Sequence, residues 1–205
     1  PPLPPGQLWL PAIGSAFAIA IVKMCFGGLG HNFVNPALAA RAFLTVSWLP
    51  IMTTWTLPAD AVSSVTPLAA AKMGEAASSG YLDMLLGRVG GCIGETSAAA
   101  LLLGGIYLIA RRVIDWRIPA SYLAAVALFS WIAGFDGAFT GDPLYSVLSG
   151  GLLLGAFFMA TDYATSPVTG RGQLIYGIGC GLITIFIRYF GSYNEGVCYS
   201  ILVMN

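Results

Sequence analysis

The sequence predicts an all-α protein with about seven transmembrane or half-membrane helices of the length that a bilayer requires. Of the 205 residues, 57% are hydrophobic and only 9% are charged, whereas a typical soluble domain carries about 25% charged residues. The mean hydropathy is +0.80, and apolar runs alternate with short polar intervals. Membrane lipid is therefore the expected surrounding. Nucleic acid is not an expected partner, because the formal net charge is zero and the basic residues are scattered.

One membrane domain, 1–205, accounts for the whole chain. A proline-rich stretch, 1–6, cannot be helical, and it is expected to be extended backbone that precedes the first membrane segment. Several of the apolar segments that follow are close to the lower limit of ~17–25 residues for a spanning helix, which suits broken or protein-shielded helices. The chain lacks an initial Met and stops inside an apolar run, so we expect it to be part of a longer protein. The expected membrane segments are 8–26, 33–57, 97–112, 119–135, 144–161, 173–190 and 196–205.

A glycine run at 27–30 separates the first two segments, and Asn35 with Pro36 begins the second. Arg41 lies near the start of that second segment. An arginine inside a bilayer costs about 2.5–3.5 kcal/mol on insertion scales, so Arg41 is expected to face protein, a ligand or a water-filled cavity. An interfacial arginine that pairs with lipid phosphate is the alternative, and the sequence leaves both open.

The longest polar interval, 58–96, begins with a stretch of small hydroxyl residues that includes Ser63, Ser64 and Thr66. Hydroxyls and backbone N–H groups of such a stretch can hold a phosphate-bearing group. The alternative is a helix cap, with Thr66 as N-cap and Pro67 in the first helical position. Short helices are expected at 66–73 and 81–88.

The stretch Asp60-Ala61-Val62-Ser63-Ser64-Val65-Thr66 resembles the Ser/Thr-x-x-Thr flavinylation motif of the RnfD membrane subunits of Rnf electron-transport complexes. A similar motif occurs in the homologous NqrB subunits of sodium-pumping NADH:quinone reductases. The stretch Gly-Gly-Leu-Gly-His-Asn-Phe-Val-Asn-Pro-Ala-Leu at 27–38 resembles another signature of this family. Further stretches in the family's order bring the resemblance to nearly the whole chain: 52–55, 94–97, 116–119, 158–162, 165–169, 172–177 and 203–205.

The resemblance implies that Thr66 carries covalent FMN through a phosphoester bond. The cluster Asp162-Tyr163-Ala164-Thr165-Ser166-Pro167 could bind a cation or a second, noncovalent flavin through its oxygens, or could be a capped turn. Glu95 and Thr96 could contact the flavin or cap the next helix. The other residues expected to bind the cofactor are Ser63, Ser64, Asp60, Glu95, Thr96, Arg41 and Asn35.

The same resemblance implies an electron-relay subunit of an ion-translocating oxidoreductase, with reduced ferredoxin and NAD+ as substrates and Na+ or H+ export as output. Its implied partners are the other subunits of an Rnf-type complex, including a second FMN-bearing subunit and iron–sulfur subunits. Two alternatives stay open: an NqrB subunit of a sodium-pumping NADH:quinone reductase, and a non-redox transporter built from broken helices. Which ion moves is open as well.

The chain is not expected to be a complete enzyme. Its glycine run lacks the strand–loop–helix context of a dinucleotide site, so NADH binding is not expected. The four cysteines, Cys25, Cys92, Cys180 and Cys198, form no C-x-x-C pair, and His31 is the one histidine, so neither a metal site nor an iron–sulfur cluster is expected.

Charge asymmetry predicts the orientation. The 111–118 connection carries Arg111, Arg112 and Arg117, whereas the 136–143 connection carries Asp136 and Asp142. The positive-inside rule places the arginines in the cytoplasm. Alternation then places 162–172 inside and the Thr66 interval outside, and the resemblance makes the membrane a bacterial cytoplasmic (inner) membrane.

Overall fold

A computed structural model describes residues 9–28, 30–52, 66–72, 80–89, 94, 97–134, 137–138, 141–191 and 196–205. This part of the chain is mostly helical, which confirms the helical class. Ala133–Gly134 and Gly137–Ala138 add an antiparallel pair of two-residue strands, in which Ala133 pairs with Ala138 and Gly134 with Gly137.

The helices follow one another in this order. They are α1 (Trp9–Ala16, continuing as a π-helix over Phe17–Met24), α2 (Pro36–Ser47), α3 (Leu49–Met52), α4 (Pro67–Lys72), α5 (Tyr81–Leu86), α6 (Ala98–Ala110), α7 (Arg117–Ile132), α8 (Pro143–Leu148), α9 (Leu152–Leu154, continuing as a π-helix over Gly155–Met159), α10 (Gly170–Phe190) and α11 (Val197–Met204).

Polar side chains mark several helix starts. Asn35 accepts hydrogen bonds from the backbone N–H groups of Ala37 and Leu38 at the start of α2. Ser97, Asp142 and Thr169 cap α6, α8 and α10 in the same way. Such caps satisfy N–H groups that have no partner inside the helix. The Thr169 cap also explains why α10 begins at Gly170, ahead of the expected segment 173–190.

The core is built around the packing of α7 against α10. A Cβ at Gly177 would overlap the Ser121 side chain, and one at Gly181 would lie 2.5 Å from the Ala125 Cβ. Glycines four residues apart on α10 therefore let the two helix backbones approach closely, as membrane helices often do. The buried cluster around this contact includes Leu38, Tyr122, Val126, Leu152, Tyr176, Cys180 and Ile201.

A hydroxyl cluster joins α7, α10 and α11 inside this core. The Tyr122 hydroxyl lies 2.7 Å from Thr184 Oγ1 and 2.9 Å from Ser200 Oγ, and all three side chains are fully buried. Thr184 and Ser200 lie 2.9 Å apart and also reach backbone carbonyls. Each hydroxyl therefore has a partner, which is the condition for burying polar groups without loss of stability.

The segment expected at 144–161 is divided in the structure. α8 ends at Leu148, and α9 begins at Leu152. Between them, Gly150 has a φ of +67°, a left-handed conformation that side chains other than glycine rarely adopt. The segment expected at 33–57 is likewise interrupted, at Trp48, between α2 and α3.

Among the described helices, α10 alone is long and apolar enough to cross a bilayer by length and composition. The expected count of about seven is thus not confirmed. α10 nevertheless has an outward face of exposed large apolar side chains at helical spacing, as a lipid-facing or partner-facing helix would: Ile175, Ile178, Leu182, Phe186 and Phe190.

Thr66 and the basic loops lie at opposite ends of the bundle. α10 has 21 residues and is about 31 Å long. At its first residue, Gly170, the Arg117 guanidinium lies 2.7 Å from the position a Cβ would take. Beyond its last turn, the Gly191 carbonyl accepts a hydrogen bond from Lys72, at the end of α4. The first end thus holds the loop with Arg111, Arg112 and Arg117, and the second holds the helix that follows Thr66.

Candidate functional site

Thr66 caps the short helix α4. Its Oγ1 accepts a hydrogen bond from the Ala69 N–H at 3.3 Å, and its carbonyl accepts one from the Ala70 N–H at 3.0 Å. Pro67 occupies the first helical position, where its missing N–H costs nothing. The capping interpretation is therefore confirmed. It does not exclude the phosphoester, because an ester oxygen can still accept a hydrogen bond.

Three contacts hold α4 against the membrane helices. The Tyr145 hydroxyl donates to the Pro67 carbonyl at 2.7 Å. Leu68 Cδ1 lies 2.7 Å from the position a Cβ would take at Gly150, in the break between α8 and α9. Lys72 Nζ donates to the Gly191 carbonyl at 2.5 Å. Thr66, which is only 9% exposed, is thereby placed over this break and beside the C-terminal end of α10.

A buried arginine stabilises the break itself. Arg188, which is 3% exposed, donates from Nη1 to the Ser146 carbonyl at 2.7 Å and from Nη2 to the Ser149 carbonyl at 3.3 Å. Carbonyls freed by a broken helix need such donors, because the surroundings supply no water. The sequence interpretation did not include Arg188. The signals that could have found it are an arginine inside the apolar run 173–190 and the sequence Ser149-Gly150-Gly151.

The residues around Thr66 fit a phosphate group. The Ser149 side chain is 1% exposed, and its hydroxyl has no hydrogen-bond partner within the described part of the chain. The Arg188 guanidinium and the Lys72 ammonium supply positive charge on the same side of the bundle. This side of the bundle therefore holds a hydroxyl donor and cations, the kinds of group that bind phosphate oxygens in proteins.

Among the other predicted site residues, Asn35 lies apart from Thr66 in the described part of the chain. Asn35 lies beside Asn205 and Tyr176: with the Asn205 amide oriented to satisfy both neighbours, its oxygen accepts from the Asn35 N–H at 3.1 Å and its nitrogen donates to the Tyr176 hydroxyl at 2.8 Å. Tyr176 and Arg188 are about 18 Å apart along the α10 axis. Asn35 is therefore remote from α4, and its side chain caps α2. Five predicted residues, Asp60, Ser63, Ser64, Glu95 and Thr96, lie outside the described residues.

Arg41 lines a cavity of about 360 Å³ between α1 and α2. The cavity is lined almost entirely by apolar side chains, including Leu10, Leu44 and Met52. The cavity is partly open to the surroundings, and the role of Arg41 at the cofactor stays a prediction. The helix that carries Arg41, α2, contacts α1, α3 and α11.

The Asp162 cluster forms a turn held by its own side chains. Asp162 Oδ1 accepts from the Ala164 N–H at 3.4 Å, and Oδ2 accepts from the Thr165 hydroxyl at 3.3 Å. These contacts agree with the capped-turn alternative. Within the described ranges, no three His, Cys, Asp or Glu residues converge on a possible metal position.

One ionisable contact lies near the surface at the Thr66 end. The Tyr81 hydroxyl, at the start of α5, donates to the Asp142 carboxylate that caps α8. Because the carboxylate stabilises the protonated phenol, this hydrogen bond raises the pKa of Tyr81 above its usual value. The contact links the predicted polar interval to the helix that carries Tyr145.

Comparison with known proteins gives consistent results. The family model described as "NQR2, RnfD, RnfE family" matches residues 2–205. The D subunit of the Na(+)-translocating ferredoxin:NAD(+) oxidoreductase complex of Acetobacterium woodii is 57% identical over 202 residues, which cover 96% of this chain and 62% of that protein. The D subunit of the proton-translocating ferredoxin:NAD(+) oxidoreductase complex of Clostridium ljungdahlii is 48% identical, over 100% of this chain and 65% of that protein.

A third relative, the D subunit of the ion-translocating oxidoreductase complex of Stutzerimonas stutzeri, is 38% identical over 99% of this chain and 68% of its own length. The chain thus spans about two thirds of the length of these relatives. The matched region includes Thr66, the break between α8 and α9, and Arg188. The chain therefore belongs to the NQR2, RnfD, RnfE family.

Proposed function

We propose that this chain is part of the RnfD membrane subunit of an Rnf-type ion-translocating oxidoreductase and carries covalent FMN on Thr66. The observation that carries the proposal is the position of Thr66: its hydroxyl lies at the start of α4, whose Leu68 packs on the helix break near Arg188, in a chain that matches the family at 2–205. When bound, FMN supplies transfer of one or two electrons.

The chain's own residues provide attachment and positioning. The Thr66 oxygen forms the phosphoester, and the Tyr145 hydroxyl and Leu68 hold α4 on the bundle. The names of the relatives support reduced ferredoxin and NAD+ as substrates of the whole complex, with export of Na+ or H+. The second FMN-bearing subunit and the iron–sulfur subunits are proposed as electron-transfer partners.

We also propose a bacterial cytoplasmic membrane with Thr66 on its outer side. The separation of the two ends of α10 supports this orientation: Arg117 contacts the first residue of this helix, Lys72 of α4 contacts the residue after its last, and the helix between them is about 31 Å long. With the arginines in the cytoplasm, the flavin faces the extracytoplasmic space. Labelling a single introduced cysteine at exposed Val113 from inside and at Tyr81 from outside tests the assignment, and the reverse pattern would overturn it.

In-gel flavin fluorescence of the denatured subunit tests the attachment site, because only covalently held flavin survives denaturation. Thr66→Val should abolish the fluorescent band, since valine keeps the shape and removes the hydroxyl. Ser63→Ala and Ser64→Ala are the controls and should keep the band. An FMN mass increment mapped to either serine would contradict the assignment. Flavin released into the supernatant on denaturation would reveal the second, noncovalent flavin.

Two other functions have specific support. The family description includes NQR2, so an NqrB subunit of a sodium-pumping NADH:quinone reductase fits the same chain. Quinone extracted in stoichiometric amount from the purified complex would favour that function. The interrupted helix at 149–151 resembles the broken helices of non-redox transporters. A purified protein without a flavin absorbance spectrum would favour the transporter.

A further inference from the structure

We propose that the break between α8 and α9 is a phosphate-binding cradle, in which the Ser149 hydroxyl and the Arg188 guanidinium hold the phosphodiester that joins FMN to Thr66. The inference rests on the proposed function. It adds two positioning residues that sequence motifs do not indicate, and it gives the interrupted helix a role in holding the cofactor.

The Ser149 hydroxyl is the first observation. The residue is 1% exposed, and its Oγ has no hydrogen-bond partner in the described part of the chain. A buried hydroxyl without a partner destabilises a folded protein, so native structures rarely keep one. A phosphate oxygen is an acceptor that would satisfy this donor. A bound acceptor would therefore explain why residue 149 is a serine. Without such an acceptor, alanine at this position would give a fold of at least the same stability.

The Arg188 guanidinium is the second observation. It donates to the Ser146 and Ser149 carbonyls, and its Nη2 lies 3.6 Å from the position a Cβ would take at Gly150. A phosphate bound at the break would be attracted by this guanidinium, and burial strengthens the attraction between opposite charges. The planar set of N–H donors on an arginine matches phosphate oxygens better than a point charge does.

The position of α4 is the third observation. The position a Cβ would take at Gly150 is close to both Leu68 and the Arg188 guanidinium. The Pro67 carbonyl accepts a hydrogen bond from Tyr145, the residue before Ser146. The backbone directly after Thr66 therefore lies on the break. Glycine at position 150 leaves room there, since any side chain would meet Leu68 and approach Arg188.

A double-mutant cycle in the assembled, full-length complex tests the proposal. Ser149→Ala is made in the wild-type subunit and in the Thr66→Val subunit, which cannot carry the phosphodiester. The measurement is the temperature at which half of the tagged subunit is lost from the folded complex after heating. We expect Ser149→Ala to lower this temperature by about 3 °C or more in the flavin-bearing complex and to leave it unchanged or raised in the Thr66→Val complex.

Arg188 is tested in the same cycle. Arg188→Gln should lower the temperature more in the flavin-bearing complex than in the Thr66→Val complex, and Arg188→Lys should restore part of the difference because it keeps the charge. Ser121→Ala is the matched control: Ser121 is a buried serine at the other end of the bundle, hydrogen-bonded to the Arg117 and Ile118 carbonyls. It should have the same effect in both backgrounds.

Equal effects of Ser149→Ala in the two backgrounds, or equal effects of Arg188→Gln, would overturn the cradle. The wild-type complex must show the covalent fluorescent band for the cycle to be run. Absence of that band would overturn the proposed function instead, so the two failures are distinguishable.

Discussion

Replacing Gly150 by alanine tests whether α4 is seated on the helix break. Gly150 has a φ of +67°, and a Cβ there would lie 2.7 Å from Leu68 Cδ1. The substitution should therefore act in two ways. It forces an L-residue into the left-handed region, and it pushes against a buried leucine two residues after Thr66.

The two contributions have different sizes. The left-handed conformation costs about 1–2 kcal/mol for a non-glycine residue. A carbon–carbon contact at 2.7 Å is about 1 Å shorter than the usual separation of ~3.5–4.0 Å. Overpacking of this kind costs about 1–3 kcal/mol, and the flexible end of Leu68 favours the lower part of that range. Gly150→Ala should thus destabilise the subunit by about 2–4 kcal/mol in total.

Gly94 is the matched control. It has a similar φ of +87°, but no described atom lies within 4 Å of the position a Cβ would take. Gly94→Ala should therefore show the conformational cost alone, about 1–2 kcal/mol. The difference between the two variants measures the contact with Leu68. In a Leu68→Ala background, Gly150→Ala should cost only the backbone strain, because the contact with the Leu68 side chain is already absent.

Thermal stability of the assembled complex is the assay, with in-gel flavin fluorescence as a second measurement. One kcal/mol corresponds to about 2–4 °C for a chain of 150–250 residues. Gly150→Ala should also reduce covalent flavin, because Leu68 carries Thr66 with it when it moves. If Gly150→Ala and Gly94→Ala lower the unfolding temperature equally, and flavin content is unchanged, α4 is not packed on the break.

Three further predictions concern other parts of the molecule. Tyr122→Phe removes two buried hydrogen bonds and should destabilise the complex by about 1–3 kcal/mol in a thermal assay, whereas Tyr163→Phe, at an exposed position, should have no effect. Because the pKa of Tyr81 is raised in the folded chain, its contribution to stability is complete below its ordinary pKa of about 10 and is lost as the pH rises through the raised value. Tyr81→Phe should abolish that alkaline loss in unfolding midpoints measured against pH, and an identical pH profile would refute the contact with Asp142. Arg41→Ala should reduce ion pumping or flavin reduction in vesicles while the complex still assembles. Normal pumping would favour the alternative in which Arg41 lies at the membrane interface and pairs with lipid phosphate.

Several features could be predicted from the sequence because they depend on composition or on neighbours a few residues away. The low charge content indicated a membrane protein, and the matched family agrees. The Thr66-Pro67 and Asn35-Pro36 pairs predicted helix starts, which the structure confirms. Caps are local: the side-chain oxygen and the N–H that it accepts from are two or three residues apart.

The difference in charge between the connections could also be predicted from the sequence, since the basic and acidic residues in each connection can be counted without a structure. That Thr66 lies at the opposite end of α10 from these arginines follows only from contacts between distant residues, such as Lys72 with Gly191. The cofactor, its attachment to Thr66 and the sidedness of the membrane stay predictions from the resemblance and the charge pattern.

The tertiary structure decided what the site near Thr66 consists of. An apolar run at 144–161 is compatible with one continuous helix, and its division depends on Arg188, which reaches the Ser146 and Ser149 carbonyls from 42 and 39 residues further along the chain. Asn35 was expected to bind the cofactor, yet packing places it beside Asn205 and Tyr176. Arg41 lines the cavity between α1 and α2, and its role at the cofactor stays a prediction. Local propensity carries no information on such pairings, because they are selected by which helix faces fit together in the closed bundle.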